Sequence, residues 1–173
     1  MIEDKSTLLV SHGWTVFAHP LLVAQLEALV RQVEALKRKD PTGFKKKNAG
    51  KRLAAITQLA FDVIPQDPTR SEYRQGNLGD YHKHWFRAKF FQQYRLFFRY
   101  HARSRVIVFA WVNDENSKRA FESSHDACKV FRRMLERGHP PDDWGQLLAE
   151  AKDAIQPAAL PKRLPTGQRR PGR

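Results

Sequence analysis

Alternation of apolar and cationic side chains between residues 85 and 121 limits what this chain can fold into more than any other feature. Phe86, Ala88 and Phe90 alternate with Arg87 and Lys89, and Leu96 and Phe98 alternate with Arg95 and Arg99. Period two is the mark of a strand with one buried face, because successive side chains leave the backbone on opposite sides. Gln92-Gln93 between the two segments is short enough for a hairpin connection, although it lacks the glycine that two-residue turns favour. Antiparallel pairing puts Arg87, Lys89, Arg95 and Arg99 on one surface. Opposed like charges on paired strands repel, so an anion is expected against them, although a solvated sheet face is the ordinary reading of such cations. The next run, residues 106–112, is apolar on both parities and reads as a central strand covered on both sides. It ends in the polar cluster Asn113-Asp114-Glu115-Asn116, which also reads as a helix cap.

Before this region, Trp14, Val16 and Ala18 lie on one side of a first strand, residues 13–18, closed by His19-Pro20. Leu22, Leu26, Leu29, Val33 and Leu36 then draw one stripe down a helix over 21–38. Asp40-Pro41 breaks it, and a second helix is expected over 42–63 with Phe44, Leu53, Ile56, Ala60 and Val63 inward and a basic early part. Pro65 and Pro68 open an irregular stretch in which Arg74 stands beside Gly76 and Gly79, where a backbone can approach a ligand closely. His82 and His84 have no clear third ligand nearby, and ring packing or phosphate contact suits them better than a metal. After the sheet, a helix over 124–137 turns Ala127, Val130, Phe131 and Met134 inward and stops at Gly138, and a last helix runs over 142–155. The tail, 156–173, has four prolines, five cations and no acid, the composition of a disordered electrostatic tether. The order predicts an α+β fold: an N-terminal strand and helical hairpin packed on a small antiparallel sheet, with closing C-terminal helices. Residues 1–12 are an extension, 13–155 the domain and 156–173 the tail.

Lys and Arg number 31 against 18 Asp and Glu, a formal charge of +13 in 173 residues. That excess favours a polyanionic partner, nucleic acid first. No apolar run approaches the roughly 20 residues that span a bilayer, and the acidic N-terminus is not a secretory signal, so no membrane partner and a cytoplasmic location are expected. Cys128 is the only cysteine and lies among Ala127, Val130 and Phe131, as a small buried hydrophobe does. Walker, GxGxxG, HExxH and GxSxG motifs are all missing, and neither a cofactor nor a metal is expected.

Arg87-x-Lys89 followed by Tyr94-Arg95-Leu96-Phe97-Phe98-Arg99-Tyr100 resembles the RelE superfamily of bacterial ribonuclease toxins. With Gly13-Trp14, Ala18-His19-Pro20, Lys39-Asp40-Pro41, Trp111-Val112-Asn113-Asp114-Glu115-Asn116 and Arg137-Gly138-His139-Pro140-Pro141, the chain is similar to the YhaV-type toxins within it. The resemblance spans about 13–144 and leaves the tail out. It implies a RelE-like fold and a metal-independent endoribonuclease that cuts mRNA in association with the ribosome. It also implies a PrlF-type antitoxin that silences the toxin, and repression of their own operon by the two together on operator DNA.

Metal-free RNA cleavage uses the ribose 2′-OH as nucleophile. The enzyme helps remove its proton, stabilises charge on the phosphoryl oxygens and helps the 5′-oxygen leave. Planar, permanently charged guanidiniums suit the second task, and Arg87, Lys89 and Arg95 are the candidates, matching the RelE cationic positions. Lys89 is also a candidate base if neighbouring cations depress its pKa. Asp114, Glu115 and Arg119 complete the catalytic set; many relatives carry an Arg near Glu115 and a Tyr near Phe121, so a carboxylate base with arginine support is the natural substitute here. Arg99 suits a flanking phosphate, Tyr94 and Trp111 suit base stacking, although core burial is the commoner role of such rings, and Arg74 and Asn113 join the substrate-binding set. Two other functions use the same face: a non-catalytic RNA- or DNA-binding module, and a toxin that only occupies a ribosomal site.

Overall fold

A computed structural model describes residues 9–74, 78, 80–113 and 125–154. Five strands form one sheet in the order β1-β2-β5-β4-β3: β1 Leu9–Ser11, β2 Trp14–Ala18, β3 Phe86–Phe90, β4 Tyr94–His101 and β5 Val106–Val112. His12 and Gly13, both at positive φ, turn β1 antiparallel onto β2. Residues 9–11, set outside the domain in the sequence reading, are thus an edge strand of the sheet.

β4 pairs antiparallel with β3 and β5, but β2 pairs parallel with β5, so the expected antiparallel sheet is mixed. Parallel neighbours need a crossover, here everything from His19 to Arg105, and no local pattern announces such a pairing. Opposite β4, Phe97 pairs with Trp111 and Phe98 with Phe109, which leaves Ala110 as an extra residue on β5. The bulge breaks the parity of β5: Phe109 and Val112 join one core, while Ala110 and Trp111 both join the other.

Helix α1, Pro20–Lys39, begins where the His19 side chain accepts a hydrogen bond from Leu21 N and Pro20 supplies the first helical residue. Its last turn carries Lys37, Arg38 and Lys39 at the negative end of the helix dipole. Helix α2, Asn48–Gln58, runs on through a π turn, Leu59–Val63, into Ile64–Gln66. The wider π turn places Ile64 below Ala60, so Ile64 is fully buried and the expected inward Val63 is only half-buried. The hairpin of α1 and α2 covers the sheet face made by Trp14, Val16, Ala88, Leu96, Phe98 and Ile107. Gln25 on α1 bonds both the N–H and the carbonyl of Val112, fixing the helix to the end of β5.

Helices α3, His125–Glu136, and α4, Trp144–Asp153, cover the other face. Asp143 caps α4 by accepting from Gln146 N at 2.9 Å. Phe131 stands at the centre of this second core, 4.3 Å from the Phe97 ring, 4.9 Å from Trp85 and 5.9 Å from Trp111. Cys128 is buried beside it, as its neighbours suggest. Fully burying an aromatic or aliphatic side chain of this size stabilises by about 1.5–3 kcal/mol, which makes α3 an integral part of the fold. Both faces of the sheet are therefore interior over most of their area, and of the β3 and β4 cations only Lys89 is exposed.

Candidate active site

Phe90 pairs with Tyr94, so the β3–β4 loop is three residues, Phe91-Gln92-Gln93, with Phe91 and Gln92 at positive φ. It replaces the two-residue turn read from Gln92-Gln93. The loop fixes a register in which Lys89 lies directly across from Arg95 and Arg87 across from Phe97. Directly opposed side chains start about 5 Å apart and diagonal ones about 7–8 Å, so Arg87, Lys89 and Arg95 share one face at one end of the sheet.

Their environments differ sharply. Lys89 is exposed and Arg87 half-buried, with its Nη1 donating to Cys128 Sγ at 3.2 Å. Arg95 is 4% exposed. Its Nη1 donates to the carbonyls of Gln92 at 2.8 Å and Tyr94 at 2.9 Å, which locks the guanidinium against the loop, while its Nε has no hydrogen-bond partner. Burial, and then the charge of Arg87, lower its pKa from the usual value, but an arginine starts so high that it stays cationic at neutral pH. A buried cation beside a second cation, with a donor unsatisfied, is an electrostatic arrangement that an anion relieves.

Asn113 holds the loop from the end of β5. Its Oδ1 accepts from Arg95 N at 2.6 Å and its Nδ2 donates to Gln93 O at 2.8 Å. It is 4% exposed and braces the arginine. Asp114, Glu115 and Arg119 follow it in the chain but lie outside the described residues.

The other expected ligands point elsewhere. Arg99 shares the parity of Arg95 but is clasped between the rings of Trp85 and Trp144, 5.6 Å from each, and its Nη1 donates to Asp142 O. Burial lowers its pKa, against the raising effect of Asp142 and Asp143. It fastens the segment before α4 to the sheet instead of reaching a flanking phosphate. Tyr94 is 2% exposed in the first core, stacked on Phe90 with the buried Arg52 guanidinium 4.8 Å above it, which leaves no ring face for a base. Trp111 packs against both Phe97 and Phe131 in the second core, 5.9 Å from each ring, and is 8% exposed. Arg74 is exposed on the α1–α2 side of the sheet, away from the cluster, in the wall of a cavity of about 410 Å³ with Lys83, Phe86 and Tyr100.

Sequence reasoning missed a buried group. His19, read as a strand terminator, is 1% exposed, with Nε2 3.6 Å from Glu150 of α4 and its ring 6.2 Å from that of His139. Burial lowers its pKa, with Glu150 acting in the opposite sense. The sequence did mark His19, within the Ala18-His19-Pro20 motif and between a strand and an N1 proline, where a side-chain acceptor caps the helix. His82, one half of the HxH pair, instead meets Asp142 at 3.3 Å, an oxygen that also accepts from Trp85 Nε1 at 2.8 Å. Among the described residues no three His, Cys, Asp or Glu side chains are placed to hold a metal ion, and no helix is long and apolar enough to cross a membrane.

The α+β domain gathers a locked arginine, a second arginine and an exposed lysine at one end of its sheet, an arrangement of charge that suits an anionic partner. Residues 16–152 match the family model of the YhaV toxins, described as toxins with endonuclease activity of toxin-antitoxin systems. The chain is 42% identical over 146 residues to Toxin YhaV of Escherichia coli O6:H1, covering 83% of this chain and 95% of that one. It is 42% identical over 145 residues to Ribonuclease toxin YhaV of Escherichia coli strain K12, covering 82% of this chain and 94% of that one. No solved structure gives a match. The chain belongs to the YhaV toxin family, and it is the endonuclease toxin of a toxin-antitoxin system.

Proposed function

We propose that this toxin is a metal-independent endoribonuclease that cuts mRNA on the ribosome, in the cytoplasm, at the end of the sheet carrying Arg87, Lys89 and Arg95. The observation that supports this most is the burial of Arg95 beside Arg87 and across from Lys89, on a face otherwise closed by α3 and α4. Attack by the 2′-oxygen forms a bond to phosphorus, the bond to the 5′-oxygen breaks, and the products are a 2′,3′-cyclic phosphate and a 5′-hydroxyl. Negative charge accumulates on the phosphoryl oxygens during this step, and guanidiniums already fixed in place stabilise it without reorganising. Arg95, held on the carbonyls of Gln92 and Tyr94, has that fixed geometry. Arg87 supplies a second charge and Lys89, at the open rim, draws the strand in. Asp114 and Glu115 are the candidates for the proton transfers, with Arg119 in support; they follow Asn113 in the sequence and lie outside the described residues. The name of the K12 relative, a ribonuclease toxin, favours RNA over DNA as the substrate.

A PrlF-type antitoxin neutralises the toxin by occupying this basic face, and the toxin with its antitoxin binds operator DNA to repress their own operon. Loss of one phosphate contact among many is a modest share of affinity, whereas loss of transition-state stabilisation appears in the rate. Arg95→Ala is therefore expected to slow single-turnover cleavage of an mRNA fragment by at least about a hundredfold, while weakening RNA binding less than tenfold. A parallel fall in binding and cleavage, or wild-type protein that leaves RNA intact with and without ribosomes, identifies a binder instead.

A further inference from the structure

The cavity of about 410 Å³ lined by Arg74, Lys83, Phe86 and Tyr100 lies on the side of the sheet away from the cationic cluster, and nothing in the cleavage step uses it. Two half-buried rings line it, Phe86 and Tyr100, which stack on each other at 4.7 Å between centroids and 25° between planes. Tyr100 continues into the edge of Trp14 at 5.8 Å, and Arg105 stands 5.8 Å over Trp14. Two exposed cations, Arg74 and Lys83, form the walls, and none of the described residues lining the cavity is acidic. Aromatic faces rimmed by cations accept a flat heterocycle carrying a negative charge: the base stacks, and its phosphate meets the guanidinium. The volume falls within the range of small-molecule sites, roughly 300–1,000 Å³.

We infer that this cavity is a nucleotide subsite, which takes one base and its phosphate from the single-stranded RNA whose scissile bond lies at the Arg87, Lys89 and Arg95 cluster. The inference rests on the ribonuclease reading for its source of nucleotide, but not for its chemistry. Topology supplies the connection. β3 is the edge strand of the sheet, so a strand of RNA passes round it from one face to the other without crossing another element of the sheet. Phe86 begins β3, and Lys89 stands three residues on and on the opposite face, about 10 Å along the strand. The same edge therefore offers phosphate-binding cations on one side and stacking rings on the other, and the subsite fixes which nucleotides stand at the point of cleavage.

The test uses the full chain with two probes: adenosine 5′-monophosphate followed by NMR, and a fluorescent single-stranded 2′-O-methyl RNA octamer, which has no free 2′-OH to attack, followed by anisotropy. Wild type is expected to bind the mononucleotide with its largest chemical-shift changes at Phe86 and Tyr100. Arg74→Glu and Tyr100→Leu weaken it by about tenfold or more, the scale of one lost base stack or phosphate contact, and weaken the octamer comparably. Arg74 is exposed, so its variant folds even if Tyr100→Leu does not. Absence of mononucleotide binding in wild type, or equal binding in wild type and Arg74→Glu, overturns the inference. Mononucleotide binding that Arg74→Glu abolishes without changing octamer affinity assigns the cavity to a free nucleotide and overturns its role in holding RNA. If wild type cuts no RNA yet both probes respond as expected, the ribonuclease reading falls and the subsite stands.

Discussion

Arg95 has its backbone N–H on Asn113 Oδ1 and its Nη1 on the carbonyls of Gln92 and Tyr94, so the position of the guanidinium depends on one asparagine 18 residues further on, just past the end of β5. Asn113→Ala leaves that N–H buried without an acceptor and frees Gln93 O. The expected cost is about 1–3 kcal/mol of stability, read as a lower urea midpoint, with a fall in cleavage rate because the loop no longer holds Arg95 in place. Asn113→Asp keeps the acceptor and loses only the donor, and it is expected to cost less; equal losses in the two variants contradict the bracing role. At this scale the sequence was legible in parity and illegible in exposure. The alternation around Arg87, Lys89 and Arg95 does put them on one face. It does not say that the face is covered, because α3 and α4 lie far along the chain. Hence Arg99, in the same alternation, is enclosed by Trp85 and Trp144, and Tyr94 and Trp111, each a plausible stacking ring by position, are core.

α4 is tied to the sheet by Leu147 and Ala151, both fully buried, and by the approach of Glu150 to His19. His19 is held neutral by burial, its pKa lowered from 6.5 in the folded chain. The unfolded chain binds that proton more readily, so this contribution is present above the unfolded pKa and is lost as pH falls from about 6.5 toward the depressed folded value. Unfolding free energy is expected to decline with acidification through this window, with a slope from this group no steeper than about 1.4 kcal/mol per pH unit. His19→Gln flattens the slope. Glu150→Gln, which removes the carboxylate that raises the histidine pKa, deepens the loss. Denaturant titrations between pH 7.5 and 5 decide it, and a slope unchanged by His19→Gln assigns the pH dependence to another group. Elements with their own periodicity were legible: the α1 stripe, the hairpin of β3 and β4, the doubly apolar β5. The parallel pairing of β2 with β5, the bulge at Ala110 and the π turn in α2 were not, since each depends on a partner distant in the chain or on one inserted residue.

Across the whole molecule a formal charge of +13 is divided between the domain and the last eighteen residues, which hold five of the cations and no acid. RNA affinity is expected to fall steeply with salt, because each phosphate neutralised on a single strand releases about 0.7 counterions. Lys89→Ala, at the exposed rim, is expected to reduce the slope of log affinity against log salt by about 0.7. The pair Arg87→Ala and Lys89→Ala is expected to reduce it further. Truncation after residue 155 tests the tail as a tether. If its cations contact RNA, the slope drops by up to about 3.5, while the single-turnover cleavage rate at saturating RNA is unchanged, since the chemistry is assigned to Arg87, Lys89 and Arg95. If the slope stays constant on truncation, the domain alone carries the RNA interface and the tail answers to a different acidic partner. If truncation slows single-turnover cleavage at saturation, the tail acts in the chemistry itself, and the site assigned to Arg87, Lys89 and Arg95 is incomplete.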